Sequence, residues 1–191
     1  MGALSLLILL LNACTSLTRP TQPTSIAHET KKLDRLLRTL PGADPSETRR
    51  LAREAVSGSL ELRQRYEVTS PPLWHNTLVN LGVKKRGLCW HWADDLYRRL
   101  KRLRLRTLKI LPVGASIGSY WGEHNALAVL PARSTGFPLG KAVLLDPWRG
   151  GGRLFFIRVE ADPEYRWSVR WERLGHPAAM PDERTPRPSV F

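Results

Sequence analysis

Cysteine is scarce in this chain, which has two among 191 residues, Cys14 and Cys89. Two thiols 75 positions apart exclude a disulfide-stapled scaffold and a cysteine-based zinc site. Long apolar runs are also missing. The longest, residues 3–11, is about half the 20 residues that a membrane-spanning helix needs, and it is typical of the apolar part of a signal peptide. Acidic residues are few as well, and 30 Lys and Arg against 17 Asp and Glu give a net charge of +13.

The segment that follows the apolar run predicts an export signal. Leu11-Asn12-Ala13-Cys14 resembles a bacterial lipobox. This resemblance implies a signal peptide at residues 1–13, cleavage before Cys14 and lipidation of the Cys14 thiol. Residues 14–27, rich in Thr, Ser and Pro, are then a lipidated tether. Because Thr15 rather than an acidic residue follows Cys14, we expect an outer-membrane lipoprotein on the periplasmic side of the bacterial cell envelope. An ordinary signal peptide or a mis-assigned start is the alternative.

The positive charge limits the partners that we expect. In the cell envelope, the acidic partners of a basic protein are lipid headgroups, lipopolysaccharide phosphates and cell-wall polymers. Much of the charge lies in residues 98–106, where no aromatic residue is interleaved as a stacking platform for nucleic acid would require. We therefore expect no nucleic-acid partner. A solvated helix end, with cations at the negative pole of the helix dipole, is the alternative interpretation of this run.

The chain between the tether and the tail predicts one α+β domain. Residues 28–174 form this domain, and the Pro-rich residues 175–191 form a tail. Asp44-Pro45-Ser46-Glu47 predicts the start of a helix that reaches about residue 67, with Glu47 closing a capping box. A short helix at 74–81 and a long one at 88–103 follow. Five strands are then expected, which together favour N-terminal helices packed on an antiparallel sheet; they are residues 107–117, 125–130, 142–145, 153–160 and 167–174.

Cys89, His124 and Asp146 stand in the order of a nucleophile, its base and the residue that orients the base. Cys89 is placed at a helix start, where free N–H groups and the helix dipole favour a thiolate. If Leu130 pairs with Gly140, antiparallel pairing puts His124 directly opposite Asp146. Ala126 and Ala128, on the same face as His124, would then let the nucleophile helix approach that face. A buried, inert thiol is the alternative interpretation of Cys89.

The remaining polar residues near Cys89 have lesser expected roles. Its own backbone N–H is the first expected oxyanion donor, and Asn76 and Trp74 are candidates for the second. We expect His91 to be a polar residue of the first helical turn, because side chains two apart on a helix diverge by about 200°; a metal shared with Cys89 is the alternative. We find no metal-ligand spacing and no phosphate-binding loop, and expect no cofactor.

Three segments resemble the transglutaminase-like superfamily of papain-related cysteine enzymes: residues 87–90, 124–129 and 145–148. The similarity extends over about residues 74–160. It implies a nucleophile helix packed on an antiparallel sheet that bears the His and the Asp, here Cys89, His124 and Asp146. The implied activity is that of a cysteine hydrolase or acyl transferase, such as a peptidase or amidase, acting on peptide or cell-wall amides. A non-catalytic lipoprotein that binds anionic envelope polymers through its basic face is the alternative.

Overall fold

Four helices precede a five-stranded sheet in the computed structural model, which describes residues 23–119, 122–133 and 136–170. The predicted α+β class is confirmed. The predicted signal peptide, Cys14 and the tail at 175–191 lie outside the described residues. No helix in the part of the chain that is described is long and apolar enough to cross a membrane.

The helices are α1 (Pro23–Leu37), α2 (Pro45–Arg65), α3 (Pro72–Asn80) and α4 (Cys89–Lys101). Sequence analysis did not predict α1. This helix begins inside the segment assigned to the tether, so that assignment is wrong for residues 23–27. Leu33 and Leu37, one helical turn apart, are fully buried in the core. Their burial against α2 is what fixes α1 on the domain.

The start of α2 is capped by Asp44 as predicted, but Glu47 does not close a capping box. The Asp44 carboxylate accepts from the backbone N–H groups of Ser46 (2.8 Å) and Glu47 (3.0 Å). The Glu47 carboxylate instead accepts from the backbone N–H groups of Arg106 (2.7 Å) and Thr107 (2.9 Å). Glu47 therefore ties the start of α2 to the start of the sheet, a tertiary contact that outweighs the local cap.

The strands are β1 (Leu108–Ala115), β2 (His124–Pro131), β3 (Val143–Asp146), β4 (Phe155–Arg158) and β5 (Trp167–Val169). Their order in the sheet is β4-β3-β2-β1-β5, and every neighbouring pair is antiparallel. All eight residues of β2 are buried, as befits the central strand.

The helices cover one face of the sheet. Leu127 and Val129 of β2 pack with Leu96 and Leu100 of α4 in the main core. Ala126 and Ala128 point to the opposite face, into a second cluster that includes Val113 and Leu144. The expectation that α4 would approach the alanine face is therefore wrong. The small residues lie under Phe137 and Trp167 instead.

The predicted register between β2 and β3 is wrong by two residues. Leu127 pairs with Leu145, and extending this register puts Ala126, not His124, opposite Asp146. Gly140, the expected partner of Leu130, lies in a short 3₁₀ helix at Leu139–Lys141. A shift of two preserves the face on which each side chain lies, so His124 and Asp146 still share a face, as diagonal neighbours.

Candidate active site

Cys89 is the first residue of α4 and lies at the end of the sheet where β2 begins. Its side chain is partly buried, and its Sγ atom is 3.8 Å from the carbonyl oxygen of Glu123 and 3.8 Å from Nδ2 of Asn125. The helix start thus brings the thiol against the residues on either side of His124.

The turn before Cys89 is fixed by His75 of α3. The backbone of Gly87 has φ +135°, and a Cβ there would lie 2.2 Å from the His75 ring, so only glycine fits. That ring is held at both nitrogens, by the Arg86 carbonyl (2.8 Å) and by the backbone N–H of Thr69 (3.2 Å). His75 therefore has a structural role, because it holds the turn that precedes Cys89.

His91 closes the same turn from inside the helix. Its Nδ1 accepts hydrogen bonds from the backbone N–H groups of Gly87 (3.1 Å) and Leu88 (3.2 Å). An accepting Nδ1 carries no proton, so this imidazole is neutral with its proton on Nε2. The first N–H groups of a helix have no acceptor within it, so the Cys89 N–H is directed out of the helix start.

His124 connects the thiol to Asp146. The ring is almost fully buried, and its Nε2 lies 2.7 Å from Oδ2 of Asp146. Burial alone lowers the pKa of His124, but hydrogen bonds to Asp146 and to the Cys89 side chain, with the charges of both, raise that pKa from 6.5 to about 9. Because Nε2 faces Asp146, Nδ1 is the nitrogen that faces the thiol. The protonated ring is favoured at neutral pH, as a thiolate–imidazolium pair requires.

Asp146 ends β3 and is fully buried. One carboxylate oxygen, Oδ1, accepts from the backbone N–H groups of Trp148 and Arg149, each at 3.1 Å. The other, Oδ2, accepts from His124 and from Nε of Arg149 at 3.2 Å. Four donors therefore fix the orientation of this carboxylate.

Arg149 and Asp162 extend the site beyond the residues that sequence analysis identified. Arg149 binds Asp162 in a fork, at 3.2 and 2.8 Å, and its guanidinium lies 4.1 Å from the centre of the Phe155 ring. Burial raises the pKa of Asp162, but the contact with Arg149 and further hydrogen bonds leave it below its usual value. Trp167 donates to the same carboxylate at 2.8 Å. No local signal in the sequence marks Asp162, which is 16 positions from Asp146.

Three aromatic rings surround His124. The ring centres of Tyr165, Trp148 and Trp167 lie 4.6, 4.9 and 5.4 Å from the centre of the His124 ring. The faces of such rings are electronegative and favour a cation, so they suit a protonated imidazole. Trp148 could have been found from the sequence, because tryptophans cluster in and beside the segments that contain Cys89, His124 and Asp146. Sequence analysis did not identify Tyr165.

Asn125 lies on the opposite side of the thiol and was also missed. Its Oδ1 accepts from Nη1 of Arg170 at 2.7 Å, which turns its Nδ2 toward Cys89 and toward Glu123 (3.3 Å). Arg170 also forms an ion pair with Glu123. A buried amide N–H next to the sulfur stabilises a thiolate and fixes its position.

The two candidates for the second oxyanion donor differ in position. Asn76 lies next to the site, because its Oδ1 accepts from the indole N–H of Trp148 at 3.0 Å. This contact leaves its Nδ2 as a donor. Trp74 is on the outer side of α3 with half of its surface exposed. The structure therefore connects Asn76, and not Trp74, to the site, through the Trp148 ring that packs beside His124.

The positions of Cys89, His124 and Asp146 are compatible with a nucleophile, a base and a carboxylate that orients the base. No group of three or more His, Cys, Asp or Glu residues that could hold a metal ion occurs among residues 23–119, 122–133 and 136–170. No protein-family model, curated protein or solved structure matches this chain. Its chemistry therefore has to be inferred from the geometry of the site.

Proposed function

We propose that this protein is a cysteine hydrolase or acyl transferase that acts on an amide bond through Cys89, His124 and Asp146. The observation that supports the proposal is the position of the thiol, which lies against the two chain neighbours of His124 while the His124 ring is hydrogen-bonded to a buried carboxylate at 2.7 Å. An inert structural cysteine needs no such partner, whereas a nucleophile needs a base and a group that orients the base.

The reaction follows from the positions of these groups. The thiolate attacks the amide carbon, and the C=O electrons move to the oxygen, which the N–H of Cys89 and the Nδ2 of Asn76 can stabilise. The imidazolium gives its Nδ1 proton to the leaving amine as the C–N bond breaks. Water or an amine then attacks the acyl-enzyme, His124 accepts the proton of this nucleophile, and the thiolate leaves.

The resemblance to the transglutaminase-like superfamily and the lipobox together give the proposed context. A lipoprotein anchored at Cys14 on the periplasmic side of the envelope would meet peptides and cell-wall amides as substrates. Hydrolysis and transamidation share the same acyl-enzyme, and only the acceptor differs. The proposal needs no cofactor.

Alkylation of Cys89 by iodoacetamide at pH 6.5 tests the proposal, with mass spectrometry to separate the label on Cys89 from label on Cys14. We expect fast labelling that slows by an order of magnitude or more in His124→Ala, because the thiolate loses its counter-charge. His28→Ala, at an exposed position, is the matched control and should label at the parent rate. Slow labelling that is indifferent to His124 would remove the case for an enzyme.

A second candidate function is binding of anionic envelope polymers without catalysis. The exposed residues Arg49, Arg50 and Arg53 of α2 lie beside the C-terminal end of α4, where Arg50 reaches the Leu103 carbonyl at 3.5 Å. Arg102 and Arg104 are exposed at this same end, which we call the basic end. For this candidate, lipopolysaccharide binding should weaken with salt and in Arg53→Glu, and should survive Cys89→Ala.

A further inference from the structure

The outer side of α3 is the most apolar part of the described surface. Five large hydrophobic residues in that part of the chain are strongly exposed, and four of them belong to α3 and the turn after it: Leu73 (69 %), Trp74 (51 %), Leu81 (70 %) and Val83 (66 %). We call these four the α3 patch. Contiguous exposed apolar surface of this kind is unusual and marks a site of interaction.

Helical geometry places most of the patch on one side of α3. Leu73 and Leu81, the residue that follows α3, are eight residues or about 2.2 turns apart, so their side chains lie about 80° apart around the helix. Trp74 is next to Leu73 on this side, and the N–H of Val83 bonds back to the carbonyl of Leu78 at 2.9 Å. The inner side of α3 is occupied by buried His75 and by Asn76, which face the nucleophile turn and Trp148. The patch therefore faces away from the protein.

Helix α1 and the start of α3 contact the same turn. Glu29, in the first half of α1, pairs with Arg153 at 2.9 Å, in the turn that follows Trp148. In that turn, a Cβ on Gly151 would lie 3.8 Å from Pro72, the first residue of α3. This turn therefore links α1 to the start of α3.

We propose that the α3 patch docks on a lipid bilayer. Leucine, valine and tryptophan at the edge of a basic protein are the residues that enter the headgroup region, and the +13 charge attracts anionic lipids. Lys85, which is exposed and has no ion pair with the described residues, adds a cation at the rim of the patch. A small-molecule substrate would need a concave site, whereas the outer side of a helix is convex.

Docking would also place the candidate active site near the bilayer surface. Asn76, on the inner side of α3, is separated from the patch by about the 10 Å diameter of one helix. Amide bonds displayed at the membrane surface would then be within reach. This consequence rests on the proposed function, whereas the docking itself does not depend on Cys89.

Photo-crosslinking of the full chain in vesicles of phosphatidylethanolamine and phosphatidylglycerol tests the docking. Benzoylphenylalanine replaces Leu73 or Leu81, and in a control it replaces Arg102 at the basic end. We expect lipid adducts at positions 73 and 81 and none at 102, with the same result in a Cys89→Ala background. Adducts at 102 alone, no lipid adducts, or crosslinks from 73 and 81 to residues 171–191 or to a second copy would each overturn the proposal.

A substitution experiment shows whether the apolar side chains themselves are needed. With the photo-label at 81, Leu73→Asn combined with Val83→Asn should lower the yield of lipid adducts at least about tenfold, because two side chains no longer gain by leaving water. Thr77→Asn, a polar change on the same exposed side, should leave the yield unchanged. Equal yields in both variants would contradict the proposed docking. A circular dichroism spectrum like that of the parent in the absence of vesicles shows that the variants are folded.

Discussion

Asp146→Asn should lower the reactivity of the Cys89 thiol while leaving the fold largely intact. The reason is that the neutral His124 ring would then carry its proton on Nδ1 instead of Nε2. In the native site, Asp146 Oδ2 faces Nε2 of His124 at 2.7 Å and can only accept, so the ring keeps a proton on Nε2 and presents Nδ1 to the thiol. The amide introduced at position 146 would keep its carbonyl oxygen on the N–H groups of Trp148 and Arg149, because these two contacts require an acceptor. Its NH₂ group would then face His124.

An NH₂ group facing Nε2 forces the opposite tautomer. The neutral ring would accept at Nε2 and carry its proton on Nδ1, so it could not take the proton of Cys89. The negative charge of Asp146, which helps to raise the pKa of His124 to about 9, would also be lost. Burial, which lowers this pKa, would then no longer be offset by that charge. Both effects remove the imidazolium that accompanies the thiolate.

The expected magnitude follows from the ionisation of an ordinary thiol. With a pKa of about 8.5, a free thiol is roughly 1 % ionised at pH 6.5 and roughly 90 % ionised at pH 9.5. If the native thiol is ionised at both pH values, Asp146→Asn should slow alkylation of Cys89 up to about 100-fold at pH 6.5 and less than about twofold at pH 9.5.

Asp162→Asn is the matched control, since Asp162 is a buried carboxylate on the same Arg149 but does not touch His124. Asp162→Asn should change the rate of Cys89 alkylation at pH 6.5 by no more than about threefold. It should lower the free energy of unfolding by about as much as Asp146→Asn does. The rates are measured by iodoacetamide labelling across this pH range. Equal rates for Asp146→Asn and the parent at pH 6.5 would refute the reasoning.

Three further predictions use other contacts of the site. Gly87→Ala should lower the free energy of unfolding in urea by about 3 kcal/mol or more, since its Cβ meets the His75 ring, whereas Gly82→Ala, with open space around it, should cost only about 1 kcal/mol; equal losses would contradict the clash. Protonation of His124 stabilises the fold fully below pH 6.5, and this contribution is lost as the pH rises through about 9, so the unfolding free energy should fall by roughly 3 kcal/mol over this range and fall less in His124→Gln. Asn125→Leu should slow alkylation of Cys89 a few-fold at pH 6.5, because the N–H 3.8 Å from Sγ is lost, and an unchanged rate would argue against a role for Asn125.

Sequence analysis predicted the elements whose signals are local. Asp44 and Pro45 place the start of α2 correctly because capping depends on neighbours within one turn. The five strands lie where apolar runs between turn residues indicated, most of them shorter than predicted. Cys89, His124 and Asp146 could be grouped before the structure was known because each stands at the end of an element.

The predictions that failed depend on contacts between distant segments. The β2–β3 register shifted because residues 139–141 coil into a 3₁₀ helix, so the loop is longer than it was assumed to be. Glu47 binds the two residues that precede β1, about 60 positions away, in place of its own helix start. Asp162 and Arg170 join the site through ion pairs that sequence spacing does not encode. Helix α1 was missed because its N-terminal half is rich in Thr and Ser, and its buried leucines come late.

The candidate site is assembled from three separate elements, α4, β2 and β3. The reactivity of Cys89 should therefore depend on whether the chain is folded. In most proteins a partly buried thiol reacts faster when the structure opens. On the proposed chemistry, the reverse holds here at pH 6.5, because an opened chain separates Cys89 from His124 and leaves an ordinary, largely protonated thiol. Labelling of Cys89 would then count native molecules, and local opening would protect the sulfur from modification.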